Sequence, residues 1–290
     1  MIIGHKEQQK KLTALFKKNR IPHALLFSGP ENIGKRLTAL WFLKMINCNG
    51  EDAPCFQCRS CYEIEEKMHP DVVQVFEEEK EIKIKQIQEV TERMSYKGIK
   101  ASFKGVLIDD AHLMNHLAQN ALLKTLEEPT ADTVIILVTS YPHVLLPTIL
   151  SRIFEVKFYF VDEEQIEEAI KEKEIAKLSF GRPGKAVDYL NFPEKLKGVK
   201  KTKKELEEIL EEEFFLRMSK IKKIVEDGRG EEFLNNLLEV LKEKLISGIK
   251  EKSDVRRYIN SIKEVEEAIF LSTKTNVNMR LILEKIVIKI

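Results

Sequence analysis

Residues able to do chemistry gather at three places in this 290-residue sequence. The first is "FSGPENIGKRLTALW", Phe27 to Trp41, where Gly29, four further residues, Gly34 and Lys35 make the frame of a phosphate-binding loop. A glycine-rich turn ahead of a helix points backbone N–H groups and the positive helix end at phosphate oxygens, and a closing lysine reaches the terminal phosphates. In a hydrolytic loop the next residue is Ser or Thr, whose hydroxyl supports the Mg²⁺ bridging the β and γ phosphates. Arg36 stands there instead and cannot ligate a cation.

The second place is "VLIDDAHLM", in which Asp109 and Asp110 follow Val106, Leu107 and Ile108, the form of an acidic strand that completes an ATP site. The second acid of an active site, normally Glu, orients the attacking water; Asp110 is one methylene shorter. Departures at the metal and water positions argue against efficient hydrolysis and leave binding of ATP with Mg²⁺ open. The third place holds all four cysteines: Cys48, six residues, Cys55, two, Cys58, two, Cys61. Four thiolates at short spacing can close a tetrahedral zinc shell, and a shell filled by protein is structural, with no position for water or substrate. An iron–sulfur cluster also accepts four cysteines, but the distant first one and the missing Cys-Pro continuation disfavour it.

These groups need a strand before the loop, a helix after it and parallel strands beside it. Ala24 to Phe27 reads as the strand and Leu37 to Ile46 as a buried helix, preceded by a helical pattern over His5 to Lys18. The β-rich runs "DVVQVF", "GVLIDD", "TVIILVTS" and "IFEVKFYF" alternate with helical patterns at Ile84 to Met94 and Asn115 to Leu126. Near-continuous apolar strands alternating with helices predict an α/β core, residues 1–160, around a parallel sheet covered on both faces. Beyond Val161 the strands stop. Asp162 is the expected cap of a helix over "EEQIEEAIKEKEI", and Pro183 suits the first turn of another; together they predict a small helical lid, 161–192. Residues 193–290 are helical in pattern: Lys204 to Glu226, a turn at "DGRG", then Phe233 to Ile249, Val255 to Leu271 and Met279 to Ile290.

Composition sets limits on partners and setting. Hydrophobic residues make 43% and charged residues 33%, which is globular and ion-rich, a bias that heat-adapted proteins share. A net charge of +1 supplies no overall basic field, so nucleic-acid contact would rest on a local patch or on partner subunits. No run approaches the roughly 20 apolar residues of a membrane helix, and "MIIGHKEQQKK" lacks a signal-peptide core. The expectation is a cytoplasmic protein.

"IPHALLFSGPENIGKR", the four-cysteine insert, "VLIDDAHLMNHLAQNALLKTLEEP", "TSYPHVLLPTILSRI" and "SFGRPGKA" resemble, in this order, the bacterial clamp-loader subunits of the AAA+ class. The resemblance covers residues 1 to about 190; beyond it, only the helical pattern and a terminal "NVNMRLILEKI" are similar to the family. It implies a P-loop core with a five-stranded parallel sheet and a zinc module, a helical lid, and an all-α collar that assembles a hetero-pentameric ring. The partners implied are homologous ATPase subunits, a clamp-opening delta subunit, the sliding clamp and primer-template DNA. Motor subunits of the family keep Ser or Thr after the loop lysine and Glu in the acidic strand, so Arg36 and Asp110 fit a non-hydrolysing, stator-like subunit.

The resemblance also implies that Arg152, in "LSRI", acts in trans on ATP held by a neighbouring subunit, with Ile153 replacing the motif's cysteine. Read blandly, Arg152 is a helix-end arginine in a surface ion pair. Thr139 and Ser140 fall at the family's first nucleotide-sensing position, though strand-end hydroxyls often only cap. Arg182, in "GRPGKA", matches the lid arginine that reports on bound nucleotide; His112 and Glu127 are read as structural. Two other readings stand beside the stator: an active motor of the gamma/tau kind, and a purely structural zinc-containing interaction subunit.

Overall fold

The computed structural model describes residues 2–96, 98, 101–130, 132–250, 253–274 and 278–289. They form two compact units, 1–187 and 188–290. In the first, helix α1 (Lys6–Lys17) precedes strand β1 (Ala24–Ser28), the phosphate-loop segment and α2 (Lys35–Ile46). The cysteine excursion then carries α3 (Arg59–Glu65) before β2 (Val72–Val75), α4 (Ile84–Ser95), β3 (Lys104–Ile108), α5 (His116–Glu127), β4 (Thr133–Thr139), α6 (Pro147–Leu150) and β5 (Phe154–Lys157). Helices α7 (Glu163–Ile170), α8 (Lys173–Leu178) and α9 (Pro183–Asn191) follow, α9 running across the division between the units.

The sheet has five strands in the order β2-β3-β4-β1-β5, every pair parallel. Alternation along β1 divides its side chains between two cores. Leu25 and Phe27 pack in a cluster with Ala39, Phe42 and Leu43 of α2, while Ala24 and Leu26 join Ile87 and Val90 of α4 and Ala118 and Leu122 of α5. Helices cover both faces, so β1, β3 and β4 are buried along their whole length, as near-continuous apolar runs require. Each fully buried Leu or Phe contributes about 2 kcal/mol of transfer free energy, and this fixes the register at which the loop and the acidic strand end.

The structure departs from the sequence expectations at four places. Strand β5 stops at Lys157, because it is an edge strand with three of four residues exposed; Phe158 still donates to the Ser28 carbonyl at 2.8 Å. Asp162 stands at the N-cap of α7 as expected, but its carboxylate accepts from the Gln165 side chain at 3.0 Å rather than from a backbone amide. The helix expected over 163–175 is broken by Lys171, which adopts a left-handed φ of 60°. The stretch Lys204 to Glu226 is two helices, parted at Glu212 by extended backbone (φ −76°, ψ 160°).

In the second unit, α10 (Pro193–Glu211), α11 (Phe214–Glu226), α12 (Gly230–Lys250), α13 (Arg256–Lys274) and α14 (Met279–Lys289) enclose Leu206, Ile221, Leu234, Leu237, Val265, Leu283 and Val287. The "DGRG" turn is made by Gly228 at a φ of 70°. Asn276, Val277 and Ile290 of the expected closing segment lie outside the described residues. No helix among the described residues is long and apolar enough to cross a membrane.

Candidate functional site

Parallel strands deliver their C-terminal ends to one edge of the sheet, and that edge carries the candidate site. Ser28, the last residue of β1, is paired with Thr139, the last of β4, and Ile108 of β3 lies beside Leu137. The sequence-predicted Gly29, Gly34, Lys35, Arg36, Asp109, Asp110, Thr139 and Ser140 therefore converge. Gly29 has a φ of +143°, and a Cβ there would stand 2.3 Å from the Phe158 carbonyl oxygen, so the chain turns there only because the side chain is absent. Gly34 is the N-cap of α2 at a φ of 98°, with no side-chain hydrogen bond closing the helix end.

Lys35 is 6% exposed and its ammonium lies inside the loop. Nζ donates to the carbonyls of Gly29 (2.8 Å) and Pro30 (2.6 Å) and to Ser140 Oγ (2.9 Å). Burial pulls its pKa down to about 8, against the raising influence of Asp110, Glu31 and Asp109. Thr139 is fully buried and committed: its Oγ1 meets His112 Nδ1 at 3.1 Å and accepts from the Tyr141 amide at 3.0 Å. Of the two strand-end hydroxyls, Ser140 is the one that faces the loop. Burial also holds His112 below the usual histidine range.

Arg36 leaves the first turn of α2 toward the acidic strand. Its Nε lies 3.4 Å from Asp109 Oδ2, an ion-pair distance without hydrogen-bond alignment, and its guanidinium carbon is 4.9 Å from the Phe76 ring centre. Burial and the neighbouring Asp110 raise the Asp109 pKa, opposed by Arg36 and Lys35. Asp110 takes a left-handed turn at φ 43°. The glycines and Lys35 suit phosphate oxygens; a divalent cation lacks its hydroxyl ligand and would meet a guanidinium in its place.

The four cysteine sulfurs lie within 4.8 Å of one another, and none is in a disulfide. A tetrahedral zinc with Zn–S bonds near 2.3 Å sets sulfurs about 3.8 Å apart, which this cluster approaches: Cys48 and Cys58 are at 4.0 Å. Backbone amides of Gly50 and Cys55 point at Cys48 Sγ, that of Cys58 at Cys55 Sγ and that of Cys61 at Cys58 Sγ, at 3.3 to 3.5 Å. Such donors stabilise thiolates. Burial alone would push the Cys58 thiol up, but hydrogen bonds from Asn49, Cys61 and Cys55 bring it down to about 6, whereas burial pushes Cys61 up to about 12. The donor set, its spacing and its amide cradle fit a zinc ion held by Cys48, Cys55, Cys58 and Cys61.

Arg152 stands apart from this edge. It follows α6 and precedes β5, whose Phe154 is paired with Leu25 near the N-terminal end of β1. Its Nη2 is 3.0 Å from Glu127 Oε1, and Nη1 donates to the Thr148 carbonyl at 3.0 Å and to Ser151 Oγ at 3.1 Å. Arg182 sits at the start of α9 with its guanidinium 5.4 Å from the centre of the Phe160 ring. Two residues on, the Gly184 amide donates to the Asn32 carbonyl at 2.7 Å, which ties α9 to the phosphate loop.

Sequence reasoning missed several partners. Tyr141 donates to Glu31 Oε1 at 3.0 Å and so joins the loop to the end of β4; His5 Nε2 meets the Ile33 carbonyl at 2.6 Å; Phe76 lies beside Arg36. No spacing rule links Glu31 to Tyr141, 110 positions apart. Glu127, the last residue of α5, meets Arg152, just after α6, because those two helices pack together, which no local pattern specifies.

A five-stranded parallel sheet with a glycine–lysine loop after its β1 strand and an acid pair after β3 defines a P-loop core of the AAA+ type. A gamma subunit-related protein of DNA polymerase III from Thermotoga maritima shares the fold, with a TM-score of 0.52 at 20% identity over 96% of this chain and 97% of that one. The family described as DNA polymerase III, delta subunit, matches residues 4–162, and the chain belongs to it. The delta' subunit of Bacillus subtilis DNA polymerase III is 38% identical over 160 residues, 55% of this chain and 49% of that protein. The tau/gamma subunit of Haemophilus influenzae is 38% identical over 164 residues, 55% of this chain and 24% of that protein. The chain thus spans about half or less of the length of these two curated relatives.

Proposed function

We propose that this chain is a non-hydrolysing, stator-like subunit of the bacterial replicative clamp loader, of the delta-prime kind. It helps place the sliding clamp on primed DNA and lends Arg152 to ATP bound by a neighbouring ATPase subunit. The position of Arg152 carries the reading. Gly29 lies beyond the C-terminal end of β1, whereas Arg152 lies before the strand residue paired with Leu25. At about 3.3 Å per residue, about 13 Å of sheet separates the two levels, more than one side chain spans. An arginine on that edge cannot serve its own loop; half-exposed and paired with Glu127, it exchanges that pair to serve another subunit's, where a guanidinium at a γ-phosphate stabilises transition-state charge.

Arg36 and Asp110 support the stator over the motor reading, because the first takes the place of the metal-supporting hydroxyl and the second is short for a water-orienting acid. In this reading residues 1–160 are the core, 161–192 a lid whose Arg182 senses the state of the loop beside Ser140, and 193–290 a collar in a hetero-pentamer. The partners are homologous ATPase subunits, a delta subunit, the sliding clamp and primer-template DNA, met through phosphates in a salt-sensitive manner. The setting is the cytoplasm, and the zinc is structural. Steady-state ATP hydrolysis by the isolated chain tests the assignment: none above background is expected, and measurable turnover would return the motor reading.

A further inference from the structure

The place that this fold gives to magnesium is filled by protein. Two elements converge on it: the first turn of α2, where a hydroxyl would ligate the ion, and the end of β3, whose first acid would hold it through water. Arg36 extends from the one and Asp109 from the other, with Nε and Oδ2 3.4 Å apart. The Phe76 ring lies 4.9 Å from the guanidinium carbon and steadies its plane from the end of β2. A divalent cation entering between them would face a positive charge that arginine does not give up. The phosphate half is intact. Lys35 is 6% exposed, and its ammonium is gathered by the Gly29 and Pro30 carbonyls and Ser140 Oγ, bonds that it can exchange for phosphate oxygens.

The geometry points to a loop that takes the phosphates of a nucleoside polyphosphate without a divalent cation, the Arg36 guanidinium standing in magnesium's place. The tethered charge offers N–H donors in a planar fork that matches phosphate oxygens, and these charge-assisted bonds replace the ion's contacts. A guanidinium orders no metal-bound water and bridges no leaving oxygen, so the same substitution that permits binding without metal removes hydrolysis. The role of Arg152 in trans is independent of this, since it requires no occupant in this chain's own loop.

Calorimetric titration of the full chain with ADP, in excess magnesium and again in EDTA, tests the inference. Wild-type affinity is expected to agree between the two conditions to within about threefold. Arg36→Thr, which restores a hydroxyl ligand, should bind ADP about tenfold tighter with magnesium than with EDTA, and Arg36→Ala should bind about tenfold more weakly than wild type in EDTA. Wild-type binding that depends on magnesium, or no binding of ADP by the folded wild-type chain, overturns the inference. Those results leave the stator reading standing, whereas hydrolysis of ATP with magnesium would overturn both. The wild-type comparison decides even where a variant fails to fold.

Discussion

Gly29→Ala probes the turn on which the whole loop depends. The backbone there has a φ of +143°, which an L side chain rarely adopts, and the new methyl would lie 2.3 Å from the Phe158 carbonyl oxygen. The obstacle is backbone, so no side-chain rotation relieves it. Phe158 is held to β1 by its amide donating to the Ser28 carbonyl at 2.8 Å, and its ring packs on Phe27 and His5 at centroid distances of 5.1 and 5.0 Å. Moving the segment away forfeits that hydrogen bond, about 1 kcal/mol, and keeping alanine in this conformation costs about 1–3 kcal/mol. The smaller entropy of the unfolded alanine chain returns about 0.5 kcal/mol. The net loss is about 1.5–3.5 kcal/mol, which for a unit the size of residues 1–187 lowers the melting temperature by about 3–14 °C. Scanning calorimetry measures it. A fall of less than about 2 °C would refute the claim that the Phe158 carbonyl and the φ of residue 29 dictate a glycine.

Elemental analysis of purified protein should find one zinc per chain. Chelation should lower the melting temperature of the first unit, because metal-binding free energy is folding free energy in such modules; iron, or no metal at all, would contradict the zinc reading. Glu127→Ala should change the melting temperature by less than about 2 °C, since its bond to Arg152 is half-exposed and such pairs contribute about 0.2–1 kcal/mol. A larger fall would make Glu127 a structural residue, as the sequence had suggested. The affinity of the loop for ADP should fall as pH rises above about 8. The sign follows from Lys35: burial lowers its pKa in the free protein to about 8, a bound phosphate raises it again, and between those values binding must take up a proton. Isothermal titration at successive pH values reads this directly, and a pH-independent affinity would place Lys35 outside the binding site.

Most of the first unit was legible in the sequence, for a physical reason. Strands buried on both faces must be apolar throughout, so "GVLIDD" and "TVIILVTS" announced themselves, and α5 (His116–Glu127) begins one residue after the start of the helical pattern at Asn115. The four cysteines were legible because thiolate chemistry constrains spacing. What escaped was decided by tertiary partners. The left-handed turn at Lys171 has no glycine to mark it, and the capping role expected of Asp162 went unfilled because Gln165 took its carboxylate. Arg36 was readable as a lost magnesium ligand, but its approach to Asp109 and Phe76 brings together residues 73 and 40 positions away and could be seen only once the strands were laid side by side. Likewise the position of Arg152 on the edge opposite Gly29 follows from the pairing of β1 with β5, which no local pattern specifies.

The central claim is that this chain spends no nucleotide of its own and completes a neighbour's site. Single-turnover ATP hydrolysis by a clamp loader reconstituted on primed DNA with an Arg152→Ala subunit measures it most directly. The expected result is a loss of about 10³-fold or more in the rate at the adjoining ATP site, with the assembly intact by size-exclusion chromatography. An unchanged rate at every site of the intact assembly would contradict the account.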